Sequence, residues 1–263
     1  MNFNPKRILL TNDDGYTAVG IHMLACALSQ CGYSVTIMAP SEDKSGTGHS
    51  MTINKPLHVV KISPHTFDLP EDVEMYSLTS TPTDCVGVAN YVLPKFDLVI
   101  SGINFGPNLG DDITYSGTFC AALEGYLQEI PSFAISLVSL SISDYQHYET
   151  AVKVAIDFIE FLKTRDDFYF LYNINVPNLP LSEIKGVLAT TQGIRRYEDA
   201  VHVISKTESD MWVTLGGKPF DIHSPTFDVT AVDKGYVSIT PVQRDMTNTN
   251  EFEKLREYFK RKD

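Results

Sequence analysis

Residues 9–16 read LLTNDDGY, an apolar run that stops on Asn12 and two adjacent carboxylates, Asp13 and Asp14. Neighbouring negative charges at the end of a buried strand repel each other, and this stretch supplies no counter-charge. Oxygen ligation of a hard divalent cation would remove the repulsion; the plainer alternative is a solvated turn whose side chain caps the next helix. Two further loops carry complementary chemistry. APSEDKSGTGHS (39–50) offers hydroxyls, glycine-flanked amides and His49, groups that suit a phosphate. SGINFGPNLGDDITYSGT (101–118) runs from a strand into a helix through four glycines and two asparagines. Ser116, Gly117 and Thr118 stand where that helix begins, so their amides and hydroxyls can receive a phosphate at its positive end. Asn104, just past the strand, offers an amide carbonyl oxygen.

Acids from one strand end, hydroxyls from a second loop and an amide oxygen from a third describe a metallophosphatase site. The acids lack the DxD spacing of an aspartyl-phosphate mechanism, which favours attack by a metal-activated water. All-oxygen ligation suits one Mg²⁺ or Mn²⁺, and no Cys/His set competes for zinc.

The elements that would position these loops follow from hydrophobic patterning. RILLT (7–11) is a short apolar run of the kind buried on both faces of a parallel sheet. GIHMLACALSQC places Ile21, Leu24, Ala25 and Leu28 on one helical face, and YSVTIMAP reads as the next strand, completing a βαβ unit. MTINKPLHVVKI and EMYSLTS are strand-like, and TPTDCVGVANYVL is a helix opened by Thr81 with Pro82 at its first position. FDLVIS (96–101), SFAISL and FYFLYNINV are further strands; CAALEGYLQ and HYETAVKVAIDFIEFLK are helices, the latter with Tyr148, Ala151, Val152, Ala155, Ile159 and Leu162 at helical spacing.

The pattern implies a Rossmann-like, doubly wound and mostly parallel α/β sheet over residues 1–180. Residues 181–263 form an appended β-rich arm of the same single domain: VHVISK, MWVTL and YVSIT suggest hairpins, and EFEKLREYFKRK a terminal amphipathic helix.

With 21 basic against 33 acidic residues, a net −12 disfavours nucleic-acid polymers and anionic membranes as partners. A small anionic substrate stays compatible once a cation reverses the local sign. The four cysteines, Cys26, Cys31, Cys85 and Cys120, form no CxxC pair and read as reduced thiols of a cytoplasmic protein. The opening MNFNPKRILLTNDD breaks its apolar stretch too early for a signal peptide, and no run approaches the ~20 apolar residues of a membrane span.

TNDDGY, SEDKSGTGHSMT, TPTDCV and above all SGINFGPNLGDDITYSGT resemble segments of the SurE family, the survival-protein 5′-nucleotidases. NINVPNLP and GYVSITPV extend the likeness from residue 7 to about residue 242. The resemblance implies a divalent-cation-dependent phosphatase acting on nucleoside 5′-monophosphates, extending to 3′-nucleotides and short polyphosphate if the site is open. It implies Asp13, Asp14, Ser45 and Asn104 as metal ligands, with Asn108, Ser116, Gly117 and Thr118 around the phosphate. It further implies a homodimer or homotetramer with exchanged C-terminal arms. Asp13 and Asp14 are the candidate catalytic pair, with Asp14 the one to orient or deprotonate water.

His49 reads more readily as a hydrogen-bonded structural residue than as an aid to the leaving group. Asp228 lies where the arm could reach a site, and Lys218 and His223 read as solvated. The rival reading is a nucleotide- or phosphate-binding regulatory module without catalysis, although such a module gains nothing from paired carboxylates. A Rossmann oxidoreductase or sugar-nucleotide transferase ranks lower, since no GxGxxG follows the first strand.

Overall fold

The computed structural model describes residues 3–141 and 143–260. In chain order the elements are β1 (Arg7–Thr11), α1 (Val19–Gln30), β2 (Ser34–Pro40), β3 (Val59–Ile62), β4 (Glu74–Leu78), α2 (Pro82–Val92) and β5 (Leu98–Phe105). There follow α3 (Gly117–Leu127), β6 (Ser132–Val138), α4 (Tyr148–Leu162), β7 (Leu171–Pro177), β8 (Val187–Ala189), β9 (Ile194–Glu198) and β10 (Val201–Lys206). The chain closes with β11 (Met211–Leu215), β12 (Lys218–Ile222), α5 (Asp228–Asp233), β13 (Val237–Pro241) and α6 (Thr249–Lys260).

Nine strands form one sheet in the order β3-β4-β2-β1-β5-β6-β7-β13-β8. From β4 through β7 every neighbouring pair is parallel; β3 and β13 join antiparallel to β4 and β7. The chain winds outward in one direction from β1 through β2 and β4, and in the other through β5, β6 and β7. The reversal lies between β1 and β5, and in such sheets the crevice beyond the strand ends at this point is where ligands bind.

Burial explains the apolar runs. Along β1 successive side chains alternate between faces: Ile8 and Leu10 pack with Ile21, Leu24 and Leu28 of α1 and with Ala151 and Phe158 of α4. Leu9 packs on the other side with Val86 of α2 and Ala121 of α3. With both faces covered, the strand cannot alternate polar and apolar residues, as the sequence led one to expect. The α1 residues Ile21, Leu24, Ala25 and Leu28 are all buried, and Thr81 caps α2 by accepting from Asp84 N at 3.1 Å.

The structure departs from the sequence reading in three places. Only Val59–Ile62 of MTINKPLHVVKI is a strand. β5 runs through Asn104 to Phe105, so the strand carries a candidate ligand that was expected to lie beyond it. In the C-terminal third, β9 pairs with β12 and β10 with β11 as hairpins, whereas YVSIT becomes β13 and lies inside the central sheet, with β8 parallel at its outer side. Strand pairing therefore crosses residue 180. Beyond that boundary β10 and β11 are exposed throughout, and α6 buries none of its residues. Among the described residues no helix is long and apolar enough to cross a membrane.

Candidate active site at the sheet's switch point

β1 delivers Asn12, Asp13 and Asp14 directly beyond its carboxyl end, beside the end of β5. Asp13 is only 4% exposed. Its carboxylate accepts the Thr118 hydroxyl, and the Thr118 amide donates to it at 3.1 Å. This explains Gly117: a Cβ there would sit 2.9 Å from Asp13 Cβ and 3.0 Å from its Oδ2, so only glycine lets the helix start close on the carboxylate. Asp14 accepts from the Phe105 amide at 3.0 Å.

Both acids are pushed upward. For Asp13 the chief cause is burial, partly opposed by the Thr118 bonds. Asp14 is raised to about 7, first by burial and then by the charge of Asp13. Among the described residues, the groups that chiefly shift the two acids include no lysine, arginine or histidine. Two neighbouring carboxylates that burial and mutual repulsion drive toward protonation are a site in want of positive charge.

A cleft of about 370 Å³ opens over this point, within the range of small-ligand pockets. Asp13, Ser45, Asn104, Asn108 and Ser116 all line it. Asp14, Gly117 and Thr118 do not; the Tyr148 phenol, raised chiefly by burial, is raised further by the charge of Asp14. Thr118 spends its amide and hydroxyl on Asp13, so in this arrangement it holds the carboxylate. Ser116 Oγ accepts from Phe119 N at 2.9 Å as the cap of α3, which leaves its own hydrogen free to donate.

Asn108 is anchored through its backbone: its amide donates to Asn175 Oδ1 at 2.9 Å, and its carbonyl accepts from Asn173 and Asn175. Its side-chain nitrogen donates to Ser136 Oγ at 2.8 Å. Asn104 donates its amide nitrogen to Gly106 O at 2.9 Å, leaving the carbonyl oxygen as the ligand-type atom.

The oxygen donors fit a hard divalent cation. Among the described residues no group of three or more His, Cys, Asp or Glu is placed to hold a metal ion, and the oxygens of Asp13, Ser45 and Asn104 along the cleft are of the type a hard divalent cation takes.

The Ser45 loop is fastened at several points. Lys44 N donates to Asp13 O at 2.7 Å and Gly48 N to Tyr115 O at 2.9 Å. His49 Nε2 lies 3.0 Å from Glu124 Oε2, the structural role expected for it. Asp84, from TPTDCV, accepts from the Thr52 amide at 3.1 Å and from the Ser80 and Thr81 hydroxyls. Asp228 does not reach the cleft; its buried carboxylate accepts from Gly110 N at 2.9 Å, Gly193 N at 2.8 Å and Val229 N at 2.7 Å, tying the cleft loop to the arm. Lys218 and His223 are both exposed, as expected, and His223 Nδ1 lies 3.2 Å from Thr230 Oγ1.

Sequence reasoning assigned nothing to Tyr115, Asp112 or Tyr197, which also line the cleft. Tyr115 stood inside the glycine-rich loop, but Tyr197 comes from β9, and no local pattern marks it. A second cavity of about 520 Å³ lies against α4 and β13, lined by Val154, Phe158, Phe161 and Ile239 with Asp157 and Tyr172; it lacks paired groups for hydrolysis.

Fold and site together define a Rossmann-like α/β protein with an acidic, oxygen-rich cleft at its topological switch point. The family model described as "Survival protein SurE" matches residues 8–199. The "5'-nucleotidase SurE" of Synechococcus elongatus is 38% identical over 258 residues, 95% of this chain and 98% of that protein. The "5'/3'-nucleotidase SurE" of Photorhabdus laumondii is 42% identical over 246 residues, 92% and 91% of the two chains. The crystal structure of the SurE protein from Aquifex aeolicus superposes with a TM-score of 0.81 at 36% identity, covering 96% of this chain and 99% of that one. This chain belongs to the SurE family.

Two outcomes follow for the metal-free protein. Asp14 carries a raised pKa when folded, so the folded state binds more protons than the unfolded one between about pH 4 and 7, and stability falls as pH rises through that window. Asp14→Asn should flatten this slope and raise stability at pH 8 by roughly 1–3 kcal/mol, read by urea unfolding in EDTA. Asp84→Ala should cost roughly 2–3 kcal/mol by stranding the Thr52, Ser80 and Thr81 donors, with faster hydrogen exchange at the Thr52 amide; unchanged exchange there would show that Asp84 does not fasten the loop.

Proposed function

We propose that this chain is a divalent-metal-dependent 5′-nucleotidase, hydrolysing nucleoside monophosphates to nucleoside and phosphate. The observation that carries the reading is the adjacent Asp13 and Asp14, the first buried and the second half-buried, with Asp13 opening onto a ligand-sized cleft beside neutral oxygen donors. The names of the relatives point the same way, one of them to 3′-nucleotides as well. The open cleft is compatible with that breadth and with short polyphosphate.

Asp13, Asp14, Ser45 and Asn104 would hold one Mg²⁺ or Mn²⁺. When bound, such an ion supplies Lewis acidity toward a phosphoryl oxygen and toward water. The remaining work belongs to the chain. Thr118 fixes the Asp13 carboxylate, and the Phe105 amide fixes that of Asp14, so neither has to reorganise during reaction. Asp14 takes the role of orienting the attacking water and accepting its proton.

The free Ser116 hydroxyl, the Gly117 amide at the start of α3 and the second amide hydrogen of Asn108 are the donors for the phosphoryl oxygens. Thr118 contributes at one remove, through Asp13. We read residues 1–180 as the catalytic core and 181–263 as an arm of the same domain, in a cytoplasmic protein. The exposed Val203, Trp212 and Leu215 of the hairpin and Phe252 and Leu255 of α6 support exchange of arms in a homodimer or homotetramer.

The test is phosphate release from AMP and GMP, with and without EDTA. Activity should vanish in EDTA and return with Mg²⁺ or Mn²⁺. Asp13→Asn and Asp14→Asn should each lower kcat by roughly 10²-fold or more with circular dichroism unchanged, and Ser45→Ala should be milder because water can replace a hydroxyl ligand. Nucleotide binding without phosphate release would leave only a regulatory module.

A further inference from the structure

The cleft has an aromatic component that the hydrolytic reading does not use. Tyr115 and Tyr197 line the same space as Asp13, Ser45 and Ser116, yet Tyr115 is 68% exposed and Tyr197 46% exposed. Two large rings left open to water beside an acidic cleft are surface that a flat apolar partner would cover.

Their placement is built in. Tyr115 immediately precedes Ser116, the cap of α3, and its carbonyl is held by the Gly48 amide at 2.9 Å, which ties it to the Ser45 loop. Tyr197 comes from β9, and its hydroxyl donates to Asp112 Oδ2 at 2.6 Å. The strand behind it is clamped to the cleft loop. Arg195, 7% exposed, bridges Asp112 at 3.3 Å and Asp221 at 2.7 Å, and Arg196 pairs with Asp111 at 2.5 Å. A tyrosine fixed at its hydroxyl and through its neighbours loses little further freedom on binding, which is what a preorganised stacking surface requires.

We propose that Tyr115 and Tyr197 form a nucleobase subsite that recognises the ring face of the base and not its hydrogen-bonding edge. The proposal rests on the phosphomonoesterase reading above and adds the determinant of its substrate class. The carboxylate that meets the Tyr197 ring is already committed: Asp112 accepts from the Tyr197 hydroxyl and from Arg195. Stacking tolerates any base because every base presents a π-face. Purine and pyrimidine nucleotides are therefore both substrates, and both are preferred over phosphomonoesters without a base.

Steady-state kinetics of the full chain with AMP, CMP and ribose 5-phosphate test this, using the wild type, Tyr115→Ala, Tyr197→Ala and Tyr197→Phe. Each alanine variant should raise KM for AMP and for CMP by roughly 5- to 50-fold with a smaller change in kcat, so that the preference for nucleotide over ribose 5-phosphate falls by a similar factor. Tyr197→Phe should recover most of the AMP affinity, because the ring carries the contact.

Equal losses on all three substrates, a loss in kcat alone, or failure of phenylalanine to rescue would overturn the subsite while leaving the hydrolase intact. A wild type that cleaves none of the three would overturn the phosphatase reading itself, and the subsite with it.

Discussion

The structure turns on an electrostatic constraint: two consecutive carboxylates are held in a largely buried position at the end of β1. Burial raises both, and the charge of Asp13 raises Asp14 further. Everything around them is arranged to tolerate that cost. The start of α3 brings an amide and a hydroxyl to Asp13, the end of β5 brings an amide to Asp14, and a glycine opens the room in which helix and carboxylate meet. Such a pair is poor design for a metal-free fold and good design for a site that gains a doubly charged ligand.

The fold supplies the place. Outward winding in both directions from β1 leaves a crevice that no crossover helix fills, and three loops converge there. The Ser45 loop is fastened to α2 through Asp84, to α3 through His49 and Glu124, and to the acids themselves through Lys44. TPTDCV, which carries no group that reaches the cleft, thereby finds its place as the anchor of a loop that does.

Much of this was legible in the chain because it is local. The 3.6-residue spacing of Ile21, Leu24, Ala25 and Leu28, the Thr81–Pro82 opening of α2 and the abrupt end of RILLT each encode their element within a few residues. What was not legible depends on partners far away in sequence. That Thr118 bonds to Asp13 and not to the open cleft reflects an approach across 105 residues. YVSIT joins the central sheet because β7 offers it an edge, a fact absent from its own alternation. Tyr197 reaches the cleft only because buried Arg195 and its carboxylate partners hold β9 there.

Asp228 joins arm to core through backbone amides, not side chains. A Cβ at Gly193 would lie 2.6 Å from its Oδ1, so that junction admits almost no variation. The hairpin beyond it, β10 with β11, makes no such demand and lies in the open. The molecule is thus divided into a junction whose packing tolerates little substitution and an exposed hairpin whose surroundings leave it free to vary.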